Sequence, residues 1–243
     1  MKLTTEDNRK LRAAIAACKL ADIDLAVIAE GKIRGLSESR NAVIFSDLVL
    51  SIDPEIQLGI TRLSELDKRL ALFGDDILVE GDLTDAKKVR KLAIRGKAGK
   101  IEFRCTDVAM LDKKYPKENH DVPGTVITFS KAEIALISRG VKTLGAEQLT
   151  IQVKRDGAVH IESLDTSNDR FETDLVTNAD FIDDAVSSVF SYNSSSSGVL
   201  LGLLEHTVKD AESSQIILMK SGNIGVTVFG FDIIAIPRII TGV

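Results

Sequence analysis

The apolar periodicity of this chain completes one cycle of helices and strands and then begins again. Leu11, Ala14, Ile15 and Cys18 fall at i, i+3, i+4 and i+7, the spacing of a buried helix face. Thr4 or Thr5 can cap that helix, and Glu6 and Asp7 suit its first turn. Strand-like runs follow in "DLAVIAE", "IRGLSES" and "VIFSDLVLSID", with Gly31–Lys32 as the first turn. A second helix is predicted in "TRLSELDKRLALF", with Leu63, Leu66, Leu70 and Phe73 on one side and Gly74 closing it. Strands return in "ILVEGDL", "KLAIRG" and "KIEFRCTD", the last two joined by a glycine-containing hairpin loop.

The stretch "MLDKKYPKENHDVPGT", residues 110–125, is polar, holds Pro116 and Pro123 and has no period, so it predicts a connector. Beyond it the pattern restarts. Ser130 caps a helix with Ile134, Ile137, Val141 and Leu144 on one face. Strands follow in "QLTIQVK", "AVHIESL", "RFETDLV" and "SSVFSYN", with Asp156–Gly157 as a hairpin turn. The serine run 194–197 predicts a loop and cap ahead of a helix in "GVLLGLLEHTVKD". Strands in "SQIILMK", "IGVTVFG" and "FDIIAIP" close the chain. Two landmarks give the repeat distance: Leu25 and Leu149 lie 124 residues apart, and Phe45 and Phe171 lie 126 apart. The mismatch of two fits a longer hairpin in the second half. An internal duplication of this kind predicts an α+β fold. Its two tandem domains are residues 1–112 and 125–243, around a connector at 113–124, each with two helices packed on antiparallel sheets.

Charge is distributed unevenly over this pattern. The chain is acidic, with formal net charge −5, yet "NRKLRAAIAACK" at residues 8–19 holds Arg9, Lys10, Arg12 and Lys19 and no acid. At about 100° per residue, Arg9 lies opposite the apolar centre of that helix, with Arg12, Lys19 and Lys10 at its flanks. In the third helix Arg139 lies opposite Ile134 and Val141, with Lys131 and Lys142 beside it. Lys68 faces outward on the second helix, and Lys209 does so at the end of the fourth. Small alanines beside these residues leave the faces low. Positive charge thus gathers on helices and negative charge on strands and loops, a field that draws a polyanion to one surface. A solvated helix face is also normally charged, so both a phosphate-facing surface and a plain solvated one remain open on this ground.

Several kinds of chemistry are not signalled. There is no phosphate-binding glycine loop, and "RGKAGK" at 95–100 is too short for one and reads as a hairpin tip. His120, His160 and His206 are far apart, without metal-ligand spacing. Cys18 and Cys105 form no CxxC and read as buried, reduced thiols. With no Trp and few aromatics, a stacking platform for single strands is not expected. No apolar run is long enough to span a membrane, and the start "MKLTTEDNRK" has no apolar signal core. The acids Asp75, Asp76, Glu80, Asp82 and Asp85 raise a metal-dependent nuclease, but around a helix end and a turn acids are ordinary surface residues. No cofactor and no catalysis are expected.

The duplicated unit, the restart "TVITFSKAEIALISRGVKTLGAEQLTIQVKRDGAVHIESL" and the ending "FDIIAIPRI" resemble the DNA sliding clamps, the ring-shaped polymerase processivity factors. The likeness is to proliferating cell nuclear antigen and tailed-phage clamps and covers nearly the whole chain as pattern. The short tail "RIITGV" and the less basic connector favour a phage or other viral origin over a eukaryotic one.

The resemblance implies two tandem DNA-clamp domains and a closed homotrimer that encircles double-stranded DNA without sequence preference. It implies helices lining the hole, so that Arg9, Lys10, Arg12, Lys19, Lys68, Lys131, Arg139, Lys142 and Lys209 face DNA. DNA polymerase and the clamp loader would be the partners, docking short hydrophobic peptides. Carried onto this chain, their groove would involve Met110, Leu111, Ile234, Ile236, Pro237 and Ile239. The setting would be cytoplasmic, in the host cell if the chain is viral. A ring or shell subunit of a phage particle is the alternative from a structural class.

Overall fold

The computed structural model describes residues 1–74, 76–111 and 121–236. Those residues form five helices and three antiparallel sheets, an α+β fold. The chain divides into two compact units, Met1–Asn119 with Phe229–Ile233, and His120–Val228 with Ile234–Val243. The predicted connector, residues 113–124, lies mostly outside the described residues.

The first unit contains β1 (Lys2–Leu3), α1 (Thr5–Leu20), β2 (Ala26–Ala29), β3 (Lys32–Leu36), β4 (Ala42–Asp47), β5 (Leu58–Ile60) and α2 (Leu63–Ala71). It continues with β6 (Leu78–Leu83), β7 (Val89–Gly96), β8 (Gly99–Arg104) and the short α3 (Val108–Leu111). The second unit runs β9 (Pro123–Ser130), α4 (Lys131–Leu144), β10 (Gln148–Val153), β11 (Val159–Leu164), β12 (Arg170–Asp174), β13 (Asp180–Phe181) and β14 (Ser188–Asn193). Then come α5 (Ser194–Thr207), β15 (Ser213–Met219), β16 (Ile224–Val228) and β17 (Phe231–Ala235). The unit boundary falls inside β17, which therefore has residues in both.

Strand order repeats between the units. The first holds β1-β6-β7-β8 and β4-β3-β2-β5, with β17 beside β4. The second holds β9-β15-β16-β17 and β12-β11-β10-β14, with the two-residue β13 added beside β9. Position for position these are the same two sheets, and each unit supplies two long helices. The helices form because their apolar residues share a face. Leu11, Ala14, Ile15 and Cys18 of α1, and Leu63, Leu66 and Leu70 of α2, are fully buried. Each such Leu or Ile contributes about 1.5–3 kcal/mol on burial.

The repeat extends to single hydrogen bonds. Thr4 caps α1, and its N–H and hydroxyl donate to Asp7 Oδ2 at 2.8 and 2.7 Å. The other carboxylate oxygen of Asp7 accepts from the backbone N–H of Ser51 at 2.7 Å. Ser130 caps α4 in the same way, donating to Glu133 Oε2 at 2.7 and 2.6 Å, while Glu133 Oε1 accepts from Val176 N–H at 2.8 Å. Thr4 and Ser130 are 126 residues apart. Both units therefore fasten the start of their first helix to a later loop through one carboxylate.

Several elements differ from the sequence reading. The serines 194–197 are the first turn of α5, not a loop, because Asn193 caps the helix and accepts from Ser196 N–H at 2.8 Å. The hydroxyls of Ser197 and Ser196 are also bonded, to the carbonyls of Ser194 and Ile236. Strands β1, β5, β9 and β13 and the one-turn α3 were not anticipated. β1, β5 and β13, at two or three residues, and α3, at four, carry no readable period, whereas β9 has eight residues with alternating burial and begins inside the stretch read as a connector. The β10–β11 loop has five residues between paired Val153 and Val159, against two between Ala29 and Lys32. Each loop turns on a glycine at positive φ, Gly31 at 70° and Gly157 at 85°.

Candidate nucleic-acid interface

The cations expected to face DNA come from the outer faces of the helices. In α1 the apolar stripe at Leu11, Ile15 and Cys18 packs inward, which turns Arg9 out to solvent. In α4 the buried Ile134 and Ile137 do the same for Lys131, Arg139 and Lys142, all exposed. Lys68 is exposed on α2, and Lys209 is exposed two residues beyond the end of α5.

These nine residues are not equivalent electrostatically. Lys19 forms an ion pair with Asp67 of α2 at 2.6 Å, and Lys142 forms one with Glu205 of α5 at 2.9 Å. Each pair ties the two helices of its own unit and neutralises one cation of the expected set. Arg9 lies 3.9 Å from Glu6, a long and exposed pair worth little. Lys10, half-buried, donates to the Val49 carbonyl at 3.1 Å and keeps its charge. Arg12 is half-buried and engaged by its own contacts. Lys68, Lys131, Arg139 and Lys209 make no ion pair with a described residue. They are the cations whose charge is least offset, and two of them stand on α4.

The residues expected to take a partner peptide separate by burial. Met110 is 71% exposed. Leu111 is buried against Val27, Ala29 and Val108, so its side chain belongs to the core of the first unit. Ile234 is buried and Ile236 half-buried in the second unit. Pro237 and Ile239 lie outside the described residues.

The acidic cluster does not gather. Asp76 pairs with Lys97 at 3.3 Å and Glu80 with Arg95 at 3.4 Å; Asp75 lies outside the described residues. Among the described residues no group of three or more His, Cys, Asp or Glu side chains is placed to hold a metal. His160 pairs across strands with Asp174 at 2.9 Å, and His120 lies outside the described residues. Burial pushes the thiols of Cys18 and Cys105 up to about 12, so neither is a thiolate nucleophile at neutral pH. No described helix is long and apolar enough to cross a membrane.

Two features escaped the sequence reading. The capping pattern Thr4-x-x-Asp7 and Ser130-x-x-Glu133 was there to be seen, but the loop N–H that each acid also binds was not. The cross-helix pairs of Lys19 and Lys142 depend on tertiary contact and leave no trace in spacing. No family model matches the chain, and no curated protein matches it.

Proposed function

We propose that this chain is a DNA polymerase sliding clamp: a non-catalytic subunit of a closed homotrimer that encircles duplex DNA and tethers the polymerase. The observation that carries the reading is the repeated strand order, two units with the same pair of sheets and two long helices each. The finer description, two tandem DNA-clamp domains acting in the cytoplasm, is part of the proposal. Exposed cations on those helices in an acidic chain support a surface for phosphates. Such contacts carry no sequence information and are weak, with non-specific affinities on the order of 10⁻⁴–10⁻⁶ M. Weak contacts suit a ring that slides, since encirclement provides retention.

The sheet edges support assembly by copies of this chain. β8 and β12 are end strands of their sheets. Between chains, β8 of one copy and β12 of the next can pair antiparallel, head to tail, and close a ring. The edge geometry follows from the ladder. Cys105 N–H bonds to Arg90, so its alternate neighbours Lys100, Glu102 and Arg104 direct backbone groups outward. Leu175 N–H bonds to Val159, so Arg170, Glu172 and Asp174 do so on β12. Antiparallel pairing with Lys100 opposite Glu172 sets Glu102 opposite Arg170, which matches charges at both places. One outward carbonyl, that of Glu102, already accepts from Arg69 at 2.8 Å.

Polymerase and clamp loader are the proposed partners, and Met110 is an exposed apolar anchor point for a docking peptide. The DNA-facing assignment is tested by changing Lys68, Lys131, Arg139 and Lys209 together to Ala and titrating binding to a fluorescent duplex with salt. The log–log salt slope should flatten by up to about 0.9 for each phosphate that the variant no longer neutralises. An unchanged slope and affinity would remove those helix faces from the interface.

A further inference from the structure

The second unit carries an apolar groove that the clamp reading does not use and that shares no residue with the expected peptide groove. It has a volume of about 560 Å³, within the roughly 300–1,000 Å³ of sites that hold a ligand. Its apolar lining is the half-buried Phe181 and Phe190, the buried Leu218 and Met219, and Val186, which is 59% exposed.

The groove is held open by bonds within the unit. Tyr192, two residues beyond Phe190, donates its hydroxyl to the Gly222 carbonyl at 2.7 Å in a buried setting. The Phe190 ring rests against Gly222, where an added Cβ would come within 2.5 Å of it. Ile182 N–H donates to the Gly124 carbonyl at 3.0 Å, and Lys220 pairs with Asp183 at 2.5 Å. A site formed in advance loses less ordering entropy on binding.

The rim states the chemistry of the occupant. Asp183 and Asp184 line the groove, and Asp180 precedes Phe181 in β13; all three are exposed. Only Asp183 has a cationic partner, Lys220, which leaves Asp180 and Asp184 unpaired among the described residues. An apolar lining beside unpaired carboxylates is complementary to an apolar side chain flanked by Lys or Arg. The same carboxylates would repel nucleic acid. We propose that this groove docks a short basic–apolar segment of a partner protein, its aliphatic or aromatic side chain seated over Phe190 and Met219 and its cations on Asp180 and Asp184. This does not rest on the clamp reading.

The test uses the full chain and a fluorescein-labelled decapeptide with Leu-Phe at its centre, two arginines on each side and serines elsewhere. Fluorescence anisotropy should show saturable binding. Val186→Glu should weaken it at least tenfold, and Asp184→Asn about threefold, with a smaller salt dependence. Replacing the arginines of the peptide with glutamates should abolish binding. Equal binding by wild type and both variants, or by the glutamate peptide, would overturn the proposal, as would no saturation up to millimolar peptide. Light scattering covers the other occupant: if Val186→Glu lowers the mass of the assembly, a second copy fills the groove and the peptide proposal fails.

Discussion

Asp7 and Glu133 do more at single-residue scale than helix-start acids usually do. Burial pushes each carboxyl up, but the hydroxyl and N–H of the cap and the N–H of the later loop together outweigh it, so both are held below their ordinary values of 3.8 and 4.5. The stabilisation they add is complete above the unfolded-state values and is lost as pH falls through the lower folded ones. Asp7→Asn and Glu133→Gln should each cost about 1–2 kcal/mol near neutral pH. They should also flatten the fall in melting temperature between about pH 5 and 3, which a thermal scan over pH reads directly. Equal acid sensitivity of variant and wild type would show that neither carboxylate is a latch. Gly140 makes a second prediction. In an ordinary helix interior Gly→Ala gains about 0.5–1 kcal/mol, but here the new Cβ would lie 2.6 Å from the Phe171 ring. Gly140→Ala should therefore destabilise by about 1–3 kcal/mol, as overpacking does, and Phe171→Leu should relieve it.

Legibility differs from element to element, and for identifiable reasons. The starts of α1 and α4 could be read because Thr4 and Ser130 precede an apolar stripe at helical spacing, and their caps are where that pattern requires. The start of α5 could not, since four serines have low intrinsic helix preference and the cap that rescues them, Asn193, sits at the end of a strand. Of the nine cations read from the helix faces, Arg9, Lys19, Lys68, Lys131, Arg139, Lys142 and Lys209 are exposed, and Lys10 and Arg12 are half-buried. What spacing could not supply was their partners, for Asp67 lies 48 residues from Lys19 and Glu205 lies 63 from Lys142. The groove of the second unit was equally hidden, because its lining draws on β13, β14 and β15. At this scale the two cross-helix pairs give a further expectation. Glu205→Gln should free the Lys142 charge and raise duplex affinity at low salt, by a few-fold at most because the pair is exposed. Unchanged affinity in the fluorescent-duplex titration would place Lys142 away from DNA.

For the molecule as a whole, the account turns on one repeat used twice. The unit of duplication was visible as two landmarks, 124 and 126 residues apart, and each unit carries the same order of strands. Among the described strands, β8 and β12 end their sheets and occupy different units. If copies of the chain join there, the contact is made by backbone groups of Lys100, Glu102 and Arg104 with those of Arg170, Glu172 and Asp174. Glu172→Pro removes one outward N–H from β12 while leaving its inward ladder to β11 intact, the one kind of strand position where proline is tolerated. The most direct measurement is the mass of the full chain in solution by light scattering, for wild type and Glu172→Pro. The clamp account predicts three times the 26.3 kDa protomer mass for wild type and a single protomer, with an unchanged melting temperature, for the variant. A wild-type chain that stays at 26.3 kDa at every concentration, or a trimer that Glu172→Pro leaves whole, would contradict it.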